Sequence, residues 1–235
     1  MPEHPTRGAL LISGASTGIG QACAEHLANL DIELGELTSA DEALQARLAT
    51  ARQALAAIGD RRDAVLVAQS LGAFTAALVC TLVPVAMLVY INAMIPLPGE
   101  SPGAWWTNTG WEDAVREDLE RYGQPGEWGP AELSAMFMND ASTELAQEAG
   151  RHARAQAGTP FGDRLPQEGW SEVVTHCVIA RQDRFLPAPF QRRLARERLQ
   201  SDPDEIDGGH VAIRTNPDAV VALLEGYVAD RDRHR

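Results

Sequence analysis

The stretch Ala64-Val65-Leu66-Val67-Ala68-Gln69-Ser70-Leu71-Gly72-Ala73-Phe74-Thr75-Ala76 decides how this chain folds. An apolar run without alternation predicts a strand buried on both faces, and the small residues after Gly72 predict a helix packed closely on a sheet. Ser70 then stands at a sharp strand-to-helix turn. Such a turn needs small residues two places before and after the serine, here Ala68 and Gly72. The pattern is G-x-S-x-G with alanine first; the alternative is an ordinary turn with a solvated serine.

Length and charge narrow the classes of protein to consider. The 235 residues fit one α/β domain with an insertion. A net charge of −13 opposes binding to nucleic acid or to an anionic membrane. All 20 basic residues are arginine, and lysine is absent.

Three widely spaced cysteines, Cys23, Cys80 and Cys177, form no paired framework, which is typical of buried thiols in a reducing compartment. The N-terminus shows no pattern of a signal peptide, so the sequence predicts a cytoplasmic protein. Residues 71–97 carry no charge, but Pro84 divides them into a helix over 71–82 and a strand over 86–91. No membrane span is therefore expected.

The remaining pattern predicts a core interrupted by a cap. Strands are expected at 8–13, 31–37 and 173–180, and a last helix is expected to begin at Pro217. Prolines and glycines bunch after residue 96, so residues 1–96 and 169–235 are predicted to form the core and 97–168 a helical cap. Cap helices are expected near 111–121, 131–138 and 141–156. Three tryptophans are predicted either to pack cap on body or to line an apolar substrate pocket: Trp105, Trp106 and Trp111.

A serine hydroxyl becomes nucleophilic only when an imidazole takes its proton and a carboxylate orients that imidazole. Asp183 follows the strand over 173–180, and His210 stands in the glycine-rich turn before the last helix. Gly208 and Gly209 would let this turn carry the imidazole toward Ser70. The alternatives are that Asp183 pairs with a neighbouring arginine and that His210 is a surface histidine. The sequence also lacks the spacing of ligands that a hydrolytic metal would need, so no metal is predicted.

Residues 60–230 resemble the small α/β-hydrolases of the plant methyl esterase and hydroxynitrile lyase group. The resemblance rests on Ala68-Gln69-Ser70-Leu71-Gly72, Ile91-Asn92-Ala93, Ala180-Arg181-Gln182-Asp183 and Asp207-Gly208-Gly209-His210. It implies an α/β-hydrolase fold, a mostly parallel sheet flanked by helices, with an esterase-like site under a helical cap. The lyase members use a lysine near the site. A chain without lysine therefore favours hydrolysis.

The segment from Ser13 to Gly20 instead resembles the nucleotide loop of short-chain dehydrogenases. That family uses a Tyr-x-x-x-Lys pair, which this chain lacks, so no cofactor is predicted. In α/β-hydrolases the same turn supplies an oxyanion-hole amide, and the expected donors here are the amides of Ala15 and Leu71. The turn usually begins His-Gly, whereas this one begins Ser13-Gly14.

These features predict a carboxylic-ester hydrolase that acts on a small, partly apolar ester through Ser70, His210 and Asp183. Two alternatives stay open. One is an NAD(P)-binding protein like a short-chain dehydrogenase, and the other is a catalytically silent α/β-hydrolase used as a binding protein. A homodimer is also left open.

Overall fold

A computed structural model describes residues 10–13, 34–37, 55, 58, 63–123, 129–152, 161–167, 169–170 and 172–234. Six parallel strands form one sheet in the order β2-β1-β3-β4-β5-β6. They are β1 (Leu10–Ser13), β2 (Leu34–Leu37), β3 (Val65–Ser70), β4 (Met87–Ala93), β5 (Thr175–Ala180) and β6 (Asp204–Ile206). This arrangement confirms the predicted α/β class with a parallel central sheet.

Eight helices are defined within the described ranges. They are α1 (Gly72–Leu82), α2 (Pro102–Thr109), α3 (Trp111–Arg121), α4 (Pro130–Phe137), α5 (Thr143–His152), α6 (Ala188–Leu199), α7 (Ala212–Thr215) and α8 (Pro217–Arg233). The predicted helices of the cap region agree with α3, α4 and α5 to within a few residues. Helix α2 was not predicted from the sequence.

Alternate residues of the central strands face two separate apolar layers. Leu66, Leu88 and Ile179 pack with α1 and α6 on one face, whereas Val67, Val89 and Val178 pack with α7 and α8 on the other. A strand covered on both faces has no polar side, which explains why these strands are apolar throughout.

The uncharged run after Ser70 is shared between α1 and β4. Helix α1 has 11 residues and ends at Leu82, and β4 is buried at every position. Within the part of the chain that the structure describes, no helix is both long enough and apolar enough to cross a membrane.

The glycine-rich turn over residues 14–20, which contains the predicted oxyanion donor Ala15, lies outside the described residues. The division of the chain into core and cap stays a prediction. Within it, Trp105 of α2 belongs to the main apolar core rather than to a separate cap interior.

Candidate active site

Ser70 ends β3 in a strained backbone conformation. Its φ is 54°, in the left-handed region, and the pairing of β3 with β4 shifts register between Gln69 and Ser70. Small neighbours permit this turn: Ala68 is fully buried and Gly72 opens α1. The turn holds the Ser70 hydroxyl at the carboxyl edge of the sheet, where ligands bind in open parallel sheets.

The structure brings Ser70, His210 and Asp183 together. Ser70 Oγ lies 3.0 Å from His210 Nε2, and His210 Nδ1 lies 2.9 Å from Asp183 Oδ2. An ionised carboxylate only accepts hydrogen bonds, so Nδ1 carries the proton and Nε2 accepts from the serine hydroxyl. This is the tautomer that a general base requires.

Asp183 is held as a buried carboxylate by four donors. Its Oδ1 accepts from the amides of Phe185 and Leu186 at 2.9 and 2.8 Å, and its Oδ2 accepts from Gln191 Nε2 at 3.1 Å and from His210. Both oxygens of this buried side chain therefore have hydrogen-bond partners. The carboxylate is thereby fixed in position to orient His210.

The turn before His210 contains two glycines. Gly208 has a φ of +129°, which favours glycine, and a Cβ on Gly209 would displace the side-chain oxygens of Asn139 and Asp140. As predicted from the sequence, this glycine turn brings the imidazole of His210 to Ser70.

Side chains of the two central strands hold the main chain of this turn. Asn92 Nδ2 donates to the carbonyl oxygens of Gly209 and His210, at 3.0 Å each, and Asn92 Oδ1 accepts from the amide of Ala180 at 2.7 Å. Gln69 Nε2 donates to the His210 carbonyl at 3.1 Å. The roles of Gln69, Asn92 and Gln191 were not predicted from the sequence. Polar residues inside apolar strands were the signal that could have revealed the first two.

Two aromatic rings cover His210. Its ring centroid lies 4.5 Å from that of Phe137, at the end of α4, and 4.9 Å from that of Phe185. His210 is 0% exposed and Ser70 is 3% exposed. The imidazole is thus shielded from bulk solvent, and Ser70 is nearly buried.

The three predicted pocket tryptophans occupy different environments. Trp105 is fully buried, donates from Nε1 to the Ile95 carbonyl at 3.0 Å and packs on Phe190, as the packing alternative predicts. Trp106 and Trp111 are half-buried and both contact Phe185. They extend the aromatic cluster away from His210.

Of the two expected oxyanion donors, one lies within the described residues. Leu71 directly follows Ser70 at the N-terminus of α1, where the first amides have no acceptor within the helix. The partial positive charge of a helix N-terminus suits an anion. The second expected donor, Ala15, lies outside the described residues.

Neither of the two described cysteines competes with Ser70 as a nucleophile. Burial raises the pKa of Cys80 and of Cys177 to about 12, so both thiols stay protonated at neutral pH. Their state agrees with the prediction of unpaired thiols.

Asp118 of α3 interacts electrostatically with the carboxylate of Asp183. Burial raises the pKa of Asp118; Arg121 and Arg184 oppose that rise, while the Asp183 carboxylate adds to it. Asp118 is thus a second buried carboxyl group close to the Asp183 loop.

A parallel sheet flanked by helices, with a serine at a strained strand end and an acid and a histidine on later loops, defines the α/β-hydrolase fold. The alpha/beta hydrolase family model matches residues 13–223, and the chain belongs to that family. The match includes the N-terminal glycine-rich turn, so the resemblance of that turn to dehydrogenases is not borne out.

Solved structures with this fold align over nearly the whole chain. Polyneuridine aldehyde esterase is 16% identical with a TM-score of 0.75, covering 95% of this chain and 100% of its own. An extracellular α/β-hydrolase from a Paenibacillus species, which shares structural and functional homology with tobacco salicylic acid binding protein 2, is 20% identical with a TM-score of 0.70, covering 93% and 97%. A pyrethroid hydrolase from Sphingobium faniae JZ-2 is 19% identical with a TM-score of 0.69, covering 94% and 96%. No curated protein sequence matches this chain.

Proposed function

We propose that this protein is a serine hydrolase that cleaves small, partly apolar carboxylic esters. The observation that carries the proposal is the continuous hydrogen-bonded path from Ser70 Oγ through His210 to Asp183, with distances of 3.0 and 2.9 Å. Esterases among the structures with the same fold support the same class of reaction.

The proposed reaction proceeds through an acyl-enzyme. Ser70 Oγ attacks the ester carbonyl while His210 Nε2 takes its proton, and the amides of Leu71 and Ala15 stabilise the oxyanion. His210 then gives this proton to the leaving alcohol. Water, deprotonated by His210, attacks the acyl carbonyl; His210 then returns this proton to Ser70 Oγ as the bond to the acyl group breaks and the carboxylic acid leaves.

The apolar character of the substrate is argued from what surrounds the base. Phe137 and Phe185 lie against His210, and Trp106 and Trp111 continue from Phe185. We propose that residues 97–168 act as the lid, and Phe137 at the end of α4 brings this range into contact with His210. Cytoplasmic location and a small-molecule partner stay predictions from the sequence.

Hydrolysis of p-nitrophenyl esters by the wild type and by Ser70→Ala tests the proposal. Loss of the nucleophile is expected to lower kcat by about 10³ or more with the fold intact. Near wild-type turnover by Ser70→Ala would contradict it.

A second candidate function is a binding protein that has lost catalysis. The departure that favours it is Ser13-Gly14 where related hydrolases usually begin the oxyanion turn with His-Gly. Labelling by an organophosphonate, followed by mass spectrometry, separates the two functions. An active hydrolase gains one phosphonyl group on Ser70, whereas a silent one does not react.

A further inference from the structure

The turn that follows α4 holds both loops that carry the acid and the base. This turn, Met138-Asn139-Asp140, is called the cap turn below. Asn139 Nδ2 donates to the carbonyl of Gln182 at 2.9 Å, and Asp140 Oδ2 accepts from the amide of Gly209 at 2.5 Å. Gln182 and Gly209 are the residues immediately before Asp183 and His210.

Asp140 also contacts the far side of the His210 loop. Its Oδ2 accepts from Thr215 Oγ1 at 2.5 Å, at the end of α7. Asp140 Oδ2 therefore accepts hydrogen bonds from Gly209 and from Thr215, which precede and follow His210 in the chain.

The His210 loop needs such an anchor because its backbone is intrinsically free. Gly208 and Gly209 are adjacent, and glycine has more conformational freedom than any other residue. Asn92 and Gln69 fix the carbonyls of Gly209 and His210 from the sheet side. Asp140 fixes the amide of Gly209 from the side of the cap.

We propose that Asp140 is a positioning residue that makes the orientation of His210 depend on the position of the cap. The inference rests on the proposed function. When the cap turn is in place, the imidazole is held between Ser70 and Asp183; when the turn withdraws, Gly209 loses its acceptor and His210 loses its alignment. Ionised acceptors form hydrogen bonds roughly twice as strong as neutral ones, which suits a carboxylate to this role.

The test compares Asp140→Ala and Asp140→Asn with Glu132→Ala. Glu132 is an exposed carboxylate of α4 that bonds the amide of Gly129 at 2.8 Å, so its removal perturbs the same helix without touching the His210 loop. Asp140→Ala is expected to lower kcat by about 10²-fold, the order of effect of a small misplacement of a reacting group, with KM little changed. Asp140→Asn keeps an acceptor and should fall between.

A second measurement does not depend on turnover. The downfield NMR signal of the His210 Nδ1 proton, which reports its bond to Asp183, should be sharp in the wild type and in Glu132→Ala but broadened in Asp140→Ala. If Asp140→Ala fails to fold, Thr215→Val keeps the carboxylate, removes one of its donors and should show the same changes in weaker form.

The outcomes separate the two proposals. A wild type that neither hydrolyses esters nor reacts with the phosphonate removes the proposed function, and the NMR signal then decides the role of Asp140. An active wild type with Asp140→Ala equal to Glu132→Ala in kcat, or with an unchanged His210 signal, overturns the inference. A loss of melting temperature alone, with kcat retained, would show that Asp140 only stabilises the fold.

Discussion

Two non-glycine residues near the ends of β3 and β4 have left-handed backbone conformations. Ser70 has a φ of 54° and Asn92 a φ of 43°. A side chain with a Cβ is disfavoured in that region by about 1–2 kcal/mol per residue, although asparagine tolerates it better. At the residue scale, the site therefore stores backbone strain at Ser70.

The strain at Ser70 can be measured apart from activity by comparing Ser70→Gly with Ser70→Ala. Both variants lack the serine hydroxyl, but glycine relieves the left-handed backbone. After allowance for the entropy of glycine, we expect Ser70→Gly to be more stable by up to about 1 kcal/mol, or ~2–4 °C in Tm. Thermal unfolding followed by circular dichroism measures the difference. A lower Tm for Ser70→Gly would show that the turn is not strained.

Asn92 is expected to be the most costly polar side chain to remove near the site. Asn92→Ala leaves the buried amide of Ala180 and the carbonyl of Gly209 without this partner, at about 1–3 kcal/mol for each orphaned group. Asn216→Ala, which removes an asparagine side chain that donates to the exposed carbonyl of Asp207 at 2.9 Å, is the matched control. Urea unfolding should show a large loss of stability in the first variant and little in the second. Equal losses would mean that the hydrogen bonds of Asn92 contribute no more to stability than the exposed hydrogen bond of Asn216.

At the scale of elements, the sequence was most informative where a pattern is local. The strand and helix around Ser70, the strand before Asp183 and the start of α8 at Pro217 follow from apolar runs and helix-start signals. Helix α2 was missed because Pro102 and Gly103 were interpreted as breakers. Ser101 in fact caps α2 with its side chain and Pro102 is its first residue, which is a helix-start pattern.

The supporting contacts of the site could not be predicted in the same way. Asn92 bonds residues 117 and 118 positions away, and Asp140 bonds Gly209 at a separation of 69. These are bonds from side chains to main-chain atoms, so they leave no complementary residue type in the sequence. Only the fold brings their partners together.

Helix α2 places two adjacent tryptophans in different roles. Trp105 faces the core, and its replacement by alanine should cost about 3–5 kcal/mol of stability, as for other buried large-to-small changes. Trp106 is half-buried and contacts Trp111 and Phe185, so Trp106→Ala should change the preference among p-nitrophenyl esters of different chain length more than it changes Tm. Calorimetry and a substrate series measure both. The same pure loss of stability in the two variants would assign both tryptophans to packing.

For the whole molecule, a buried ion pair ties the start of the predicted cap to α6. Arg198 Nη1 lies 2.5 Å from Glu100 Oε2, with side-chain exposures of 6% and 4%. Arg198 also donates to the Ile95 carbonyl at 2.7 Å, and Glu100 accepts from the amide of Leu97 at 3.1 Å. The region where the chain leaves the sheet is thereby joined to the core.

Removing one member of this ion pair should lower the free energy of unfolding more than replacing both members does. Arg198→Met leaves Glu100 buried without its cation, and we expect a loss of about 3–5 kcal/mol. Arg198→Met combined with Glu100→Gln removes the uncompensated charge and should recover part of that loss. A double-mutant cycle in urea measures the coupling. Additive effects would show that the two side chains act independently.

His176 of β5 is expected to make the stability of the protein depend on pH. The His176 ring stacks on Tyr227 with centroids 3.9 Å apart; burial lowers the pKa of His176, and Asp204 partly offsets this. The unfolded chain therefore takes up a proton at higher pH than the native one, and stability falls as pH drops through about 6.5. His176→Phe keeps the ring packing and should flatten this part of the curve. Urea unfolding between pH 7 and 5 tests it; parallel curves would exclude His176 as the cause.

The main-chain contacts of the cap turn determine how a lid could be exchanged between relatives. Because Gln182 and Gly209 are held through a carbonyl and an amide, a foreign lid needs no matching side chains at those two positions. It must still bring an amide and a carboxylate equivalent to Asn139 and Asp140. The first junction belongs after α3, near Gly123, since a cut at residue 97 would separate Trp105 from the core and Glu100 from Arg198. A chimera built in this way should keep the hydrogen bonds of His210 to Ser70 and Asp183 while the rest of the lid differs.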